Sequence, residues 1–379
     1  MERSSAVVRR ASDFEGADLD QLMAEAAAVR DRAFGRTVTY SRKVFVPLTN
    51  MCRDSCGYCV FVKPPSSPEA RIMTPDQVMD VVRAGERLGC KEVLFSLGEK
   101  PERRYSEARE GLAALGYGRM TDYLRDICSR VVDETGLIPH VNAGTLSSEE
   151  IAMLKPVSGS MGMMLETVSK RLMEKGRAHH ACPDKVPLQR LRTLERAGRA
   201  RVPFTTGILI GIGETFEERV QSLEAIRDVH LRYGHIQEVI VQNFQAKRGI
   251  AMAHHPEPTL DDMLRTIAAA RLILPAEISL QAPPNLEKRH AAYLDAGIND
   301  WGGISPLTID HINPDHAWPA IARLRATTEA CGFRLEERLT VYPRFLEPGA
   351  GFVDEGVAAK LKPLARADGL ARDQRETAA

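Results

Sequence analysis

Three cysteines within eight residues, Cys52, Cys56 and Cys59, are the part of the sequence whose type and spacing most directly imply chemistry. They lie in the segment NMCRDSCGYCVF, directly after a short β-branched run. Thiolates this close can wrap one compact metal centre. A structural zinc ion takes four ligands, and no further Cys or His is available in this loop. Iron–sulfur clusters also use four cysteines as a rule, so three would leave one iron of a 4Fe–4S cluster without a protein ligand. An open iron is what a cluster needs if it is to bind and reduce a substrate or cofactor. Two other readings stay open on spacing alone. One is a redox dithiol at Cys56-Gly-Tyr-Cys59, which leaves Cys52 unexplained; the other is a zinc site completed by a distant Cys90 or Cys182.

The elements that must position this loop follow from periodicity. Residues 17–34 repeat apolar residues at helical spacing without Gly or Pro, which predicts an opening helix stopped by Gly35. After Tyr40, short apolar runs alternate with longer amphipathic ones. The strand candidates are 44–48, 92–97, 138–142, 159–165, 203–210, 238–244, 277–281 and 300–304. Helix candidates fall near 75–88, 106–134, 148–154, 187–198, 216–233, 260–274, 286–295 and 318–331. Strands separated by helices need crossovers, and crossovers imply parallel pairing. Eight such units predict a closed (β/α)8 barrel of the α/β class, with the cysteine loop on its catalytic face. An open six-stranded barrel with appended elements is the alternative, because the last strand carries a weak signal. The expected division is a helical extension over 1–39, the barrel over 40–339 and a peripheral segment over 340–379 whose polar end is disordered.

Composition excludes several classes. The 379 residues carry 51 Lys and Arg against 51 Asp and Glu, with no long block of like charge. That argues against a nucleic-acid partner held through its phosphates and against a polybasic membrane anchor. The most apolar window, around 267–278, is interrupted by Arg271 and Pro275 and falls short of the roughly 18 residues a spanning helix needs. The first residues, MERSSAVVRRASDFEG, have no apolar core behind their arginines, which argues against export. Seven cysteines is an odd number in such a chain, and points to a reducing cytoplasm.

With Tyr58 before the last cysteine and a βα barrel around it, Cys52-x3-Cys56-x2-Cys59 resembles the radical S-adenosylmethionine (SAM) superfamily. The resemblance implies a 4Fe–4S cluster held by Cys52, Cys56 and Cys59, its open iron chelated by the amino and carboxylate groups of SAM. It also implies SAM-binding elements at later strand ends. Ser96-Leu97-Gly98-Glu99 is similar to the segment that holds the SAM amino group, with Leu97 in place of its first glycine. Glu166, after the fourth strand candidate, corresponds to a glutamate that reaches the ribose or methionine end. Gly211 and Gly213, in GILIGIGE, resemble the glycine-rich segment beside the adenine.

Other strand ends carry amides and a carboxylate suited to a heterocycle or polyol. Asn243, Gln281 and Asp300 are the substrate-binding candidates, and Asp300 is also the candidate for proton handling. The pairs His179-His180 and His254-His255 read as exposed loop residues, and His140 as a satisfied barrel histidine. The segments NMCRDSCGYCVFV, CKEVLFSLGEKPE, SGSMGMMLETVS, VPFTTGILIGIGET, HIQEVIVQNFQAK, LQAPPN and NDWGGISPLTIDHINP together resemble the first subunit of the FO synthase family. That resemblance implies formation of a deazaflavin chromophore by oxidative cyclisation, with loss of ammonia. The substrate would be a small molecule, an adduct of a tyrosine-derived hydroxybenzyl group and 5-amino-6-(D-ribitylamino)uracil. It further implies a functional partner subunit and an electron donor such as ferredoxin or flavodoxin. The partner-subunit reaction on tyrosine, and a non-catalytic cluster or zinc protein, are the competing readings.

Overall fold

The computed structural model describes residues 9–372. Its strands are β1 (Thr37–Pro47), β2 (Glu92–Ser96), β3 (Ile138–Asn142), β4 (Ser160–Gly162), β5 (Phe204–Ile210), β6 (Ile236–Asn243), β7 (Ser279–Gln281), β8 (Asp300–Ile304) and β9 (Arg334–Glu337). Each of the first seven pairs in parallel with its successor, and β8 closes the ring by pairing with β1. The ring is therefore the closed (β/α)8 barrel expected from the sequence. The ninth strand was not expected; it lies parallel to Thr37–Tyr40, at the N-terminal end of β1.

Local chemistry fixes where the helices begin, and so where each loop of the catalytic face must end. Thr74, Ser147, Thr215 and Thr259 each cap a helix through the side-chain oxygen, and the third residue of that helix bonds back to the cap. Each such box satisfies two amide groups that the helix would otherwise leave without partners. The helix expected over 106–134 is two helices, Ser106–Ala114 and Met120–Glu134. Gly116 between them has φ +87°, a conformation that favours glycine and ends the first helix. Of the helix expected over 286–295 only Ala292–Asp295 forms.

The alternation of the strands sorts apolar residues outward. Val44, Val46, Val93, Phe95, Val141, Phe204, Val239 and Trp301 pack into one large cluster with the surrounding helices. Inward positions are unusually polar. Lys43 donates to Glu92 at 2.6 Å, Ser41 donates to the same carboxylate at 2.5 Å, and His140 Nδ1 meets Ser160 Oγ at 2.7 Å. This explains why β1 starts seven residues before the expected position 44. Thr37, Thr39 and Ser41 interrupt an apolar run because they belong to the polar interior, while Val38 and Tyr40 between them are buried in the outer core.

The chain after β9 closes the N-terminal end of the barrel. Arg338 is 2% exposed and bonds Asp300 at 2.7 Å and Glu238 at 3.0 Å. Tyr342 donates to Asp300 at 3.0 Å. Leu339, Val341, Phe345, Val357 and Leu361 form a second apolar cluster with Ile138. The segment expected to be peripheral is thus a floor, because its apolar residues have the barrel's open end to bury against. Of its polar end, residues 373–379 lie outside the described residues, and Ala365 and Ala371 form an antiparallel bridge.

Arg338→Ala leaves Glu238 and Asp300 without their cation and is expected to cost about 3–5 kcal/mol in urea unfolding. The exposed Arg334→Ala should change the same quantity by under about 1 kcal/mol. A second expectation concerns acid. Burial would raise the Glu92 carboxyl, but Lys43, His140 and Arg338 hold it down at about 2, against an ordinary 4.5. Its contribution is therefore complete above about pH 4.5 and is lost as the pH falls towards about 2. Glu92→Gln should flatten the stability-against-pH curve across that window.

Candidate active site

The cysteine loop sits at the C-terminal end of β1 and is held by its neighbours more than by its own secondary structure. Gly98 N–H donates to Thr49 O at 2.8 Å, Arg53 N–H to Glu99 O at 2.8 Å, and Gly57 N–H to Ala178 O at 2.8 Å. A Cβ on Gly98 would stand 1.9 Å from Met51 O and 2.9 Å from Cys52 Cβ. This position therefore requires glycine, whereas the Leu97 that departs from the family pattern meets no such limit. The approach also brings Glu99 N–H to Cys52 Sγ at 3.1 Å, with Asp54 N–H at 3.4 Å on the same sulfur.

Cys52, Cys56, Cys59, Gly98, Glu99 and Glu166 all line one cavity with about 240 Å3 of water-accessible space. Glu166 is its electrostatic hub. It has φ +65°, uncommon for a residue with a side chain, and its carboxylate accepts from Lys185 at 2.5 Å and pairs with His179 at 2.9 Å. Tyr58 donates to the same carboxylate. Burial alone would raise the Glu166 carboxyl, but Lys185, the His179 hydrogen bond and Arg190 hold it well below the usual range. Glu99 is anchored by the Thr145 N–H at 2.6 Å and faces Arg190 at 3.8 Å.

Beside Glu99, oxygens of Asp54, Glu99 and Asp184 lie within 4.8 Å of one another. Asp54 Oδ2 and Asp184 Oδ2 are buried without a hydrogen-bond partner among the described residues. Burial pushes the Asp54 and Glu99 carboxyls up. Such orphaned oxygens mark a place for a cationic ligand.

The remaining candidates are placed less uniformly. Asn243 lines the upper cavity and its buried Oδ1 has no partner among the described residues. Gln281 lines a second cavity deeper in the barrel. Gly211 and Gly213 border neither cavity. Their positive φ values form a turn whose N–H groups at Gly211 and Ile212 are held by the Glu214 carboxylate at 2.8 and 2.9 Å. Asp300, expected to bind substrate and move protons, opens β8 at the opposite end of the barrel. It is fully buried, its carboxylate is taken by Arg338, Tyr342, Thr39 and the Gly302 N–H, and it lines neither cavity. A catalytic role there has no access to a ligand.

Sequence reasoning missed the segment His179–Arg190. His179 is 1% exposed rather than a surface residue, and Lys185 and Arg190 line the upper cavity. Cys182, assigned no role, has its sulfur 3.7 Å from Cys56. The signal was legible: HHACPDK packs five residues able to ligate, donate or carry charge into seven positions.

A (β/α)8 barrel with three such cysteines on its catalytic face defines a class, and the comparisons agree. The profile of the radical SAM superfamily matches residues 46–226. By fold, the chain resembles the FeFe-hydrogenase maturase HydG from Carboxydothermus hydrogenoformans. The TM-score is 0.70 at 19% identity, covering 87% of this chain and 76% of that one. Methylornithine synthase gives a TM-score of 0.66 at 18% identity over 86% of this chain and 92% of its own. The chain is 48% identical to the 7,8-didemethyl-8-hydroxy-5-deazariboflavin synthase of Methanopyrus kandleri, covering 88% of this chain and 100% of that protein. It is 49% identical to the FO synthase of Mycobacterium tuberculosis and 51% to that of Streptomyces avermitilis, over 94% of this chain. It spans only 44% and 43% of those two proteins, less than half their length. The chain belongs to the radical SAM superfamily and, within it, to the FO synthase family.

Membership implies a 4Fe–4S cluster and SAM, and the residues present fit both. One tetrahedral zinc ion would draw its sulfurs to within about 3.8 Å of one another. Among the described residues the His, Cys, Asp and Glu group converging within 4.8 Å is the carboxylate trio, so the three thiols do not all stand that close together, which suits a polynuclear cluster better than one zinc ion. The unpartnered carboxylate oxygens suit the ammonium of a methionine moiety.

Gly98→Ala should displace the loop and lower the iron and sulfide bound per chain after anaerobic reconstitution, as should Cys52→Ala, Cys56→Ala and Cys59→Ala. Cys182→Ala is expected to retain both at the level of the unsubstituted protein.

Proposed function

We propose that this chain forms the deazaflavin chromophore FO, by oxidative cyclisation of the hydroxybenzyl adduct of 5-amino-6-(D-ribitylamino)uracil with release of ammonia. In classification this is a radical SAM carbon–nitrogen lyase acting as a cyclase. One observation carries the reading: Cys52, Cys56, Cys59, Glu99 and Glu166 line a single cavity in a barrel that aligns with the whole of a synthase of that name.

Cys52, Cys56 and Cys59 would hold the cluster, leaving one iron for SAM. When bound, the cluster and SAM together supply a strongly oxidising carbon radical that abstracts hydrogen. Asp54, Glu99 and Asp184 would neutralise the SAM ammonium, the trio's two partnerless oxygens being otherwise expensive to bury. Glu166, oriented by Tyr58, His179 and Lys185, would bind the ribose or methionine end. Gly98 keeps the loop after β2 against the cysteines, which sets the distance between the two sets of contacts. Asn142 and Gln242 border both cavities and would meet the substrate where it approaches SAM. A partner subunit would supply the adduct, and a ferredoxin- or flavodoxin-like protein the electron.

Reconstituted protein given SAM, a reductant and the adduct should release 5′-deoxyadenosine and the fluorescent deazaflavin. Both signals should vanish in Cys56→Ala. Consumption of tyrosine without the partner would overturn the assignment, as would absence of fluorescence despite an intact cluster and SAM turnover.

A further inference from the structure

Below the cysteines the barrel holds a second cavity with about 160 Å3 of water-accessible space. It is continuous in its lining with the first, since Asn142, Met164, Gln242, Ile312 and Asn313 border both. Barrel interiors are ordinarily filled by layers of branched apolar side chains. Here the walls are polar, and their charged groups are already hydrogen-bonded, Asp310 by neutral amide and backbone N–H groups. Lys43 is bonded to Glu92, and Glu238 to Arg338 and Thr205. Gln237 is also occupied, bonding Thr340 O and the Tyr342 N–H.

Two wall residues are not occupied. Ser160 Oγ lies 2.9 Å from Thr340 O, which can only accept, and 2.7 Å from Thr340 Oγ1, which can do either. His140 Nδ1 is 2.7 Å from Ser160 Oγ; with the serine hydrogen given to Thr340 O, Nδ1 donates and Nε2 is a bare acceptor. Nε2 lies beside Gly162 on the cavity wall, where a Cβ on that glycine would stand 2.7 Å away. Burial keeps this imidazole neutral, driving its pKa down to about 3. Gln281, also on the wall, is 8% exposed and makes no side-chain hydrogen bond to another described residue. It lies over Gly302, where a Cβ would come within 2.1 Å of its Nε2. In a ring of eight strands β3 and β7 are four apart, so His140 and Gln281 face each other across the barrel. Nearer the upper cavity, Phe45 and Trp318 stack at 5.2 Å with planes 9° apart and present a flat apolar surface to the same space.

We infer that the lower cavity is the substrate chamber, and that a neutral donor–acceptor group of the substrate bridges His140 Nε2 and the Gln281 amide. This rests on the function proposed above. An anionic ligand is disfavoured because both wall cations, Lys43 and Arg338, are already bonded to carboxylates, and Asp310 on the same wall is satisfied by the Asn285 and Asn313 amides and the Ile312 and Asn313 N–H groups, so a neutral polar ligand is the one these walls suit. The matching chemistry is a cyclic imide edge or a polyol chain, each offering N–H or O–H to the imidazole and both donors and acceptors to the amide. Asp300, assigned to substrate from its position at a strand end, is replaced in that role by His140.

The test is a fluorescence titration of the reconstituted protein with 7,8-didemethyl-8-hydroxy-5-deazariboflavin, whose ribityl-bearing ring system carries both candidate groups. His140→Ala and Gln281→Ala should each weaken binding roughly five- to tenfold, the loss of one hydrogen bond. His140→Gln, which restores a neutral acceptor, should recover part of it. Thermal melting and the iron content of each variant check that fold and cluster survive. A deazaflavin lacking the ribityl chain separates the two sources. The same loss with it puts the heterocycle between His140 and Gln281, and no loss puts the polyol there. Unchanged affinity in both alanine variants, with the unsubstituted protein binding, overturns the inference alone. No binding by the unsubstituted protein overturns the functional reading and the inference with it.

Discussion

The barrel depends on one cation. Arg338 enters the N-terminal end and bridges Glu238 of β6 and Asp300 of β8, with Tyr342 completing the shell around Asp300. Without it, carboxylates from neighbouring parts of the wall would repel each other in a dry interior. Buried ion pairs are poor value as stabilisers, since apolar packing of the same volume does as well or better. Their presence through the barrel centre, Lys43 with Glu92 as well as Arg338 with its carboxylates, therefore has another consequence. It keeps the interior polar while leaving neither cation free, which suits a cavity that accepts an uncharged polar ligand.

At the other end the loops are fastened to one another. Gly98 lets the chain after β2 touch the chain after β1, and this contact adds the Glu99 N–H to the loop's own Asp54 N–H on Cys52. Glu166 joins Tyr58 of the cysteine loop to His179 and Lys185 of the segment after β4. Its left-handed backbone is held by those bonds and by the short bridge to Ile208.

Some of the site was readable because its residues work through local sequence. The cysteine spacing, Gly98-Glu99 and Glu166 each sit within a short segment at a strand's end, so motif and position coincide. Asp300 misled although its strand was expected where it lies: it opens that strand, and the N-terminal end of a barrel strand faces away from the catalytic loops. Gly211 and Gly213 carry a turn that needs positive φ, which is a backbone reason for glycine with no ligand in it. His179, Asp54, Asp184 and Arg190 were missed because their meaning lies in contacts between segments far apart in the chain, such as the Asp184 N–H on Asp54, 130 positions away.

Sequence alone determined the alternation of strand and helix, the count of eight and the chemistry of the cysteine loop. Those are local properties: a period of two or 3.6 residues, a capping side chain, three thiols in one turn of chain. Tertiary structure decided what shares a cavity. It turned the end of the chain from a periphery into the barrel floor and placed a fourth cysteine beside Cys56. It also opened a second chamber between His140 and Gln281. Whether a polar residue is paired or left facing open space depends on what the closed barrel brings opposite it, and no periodicity encodes that.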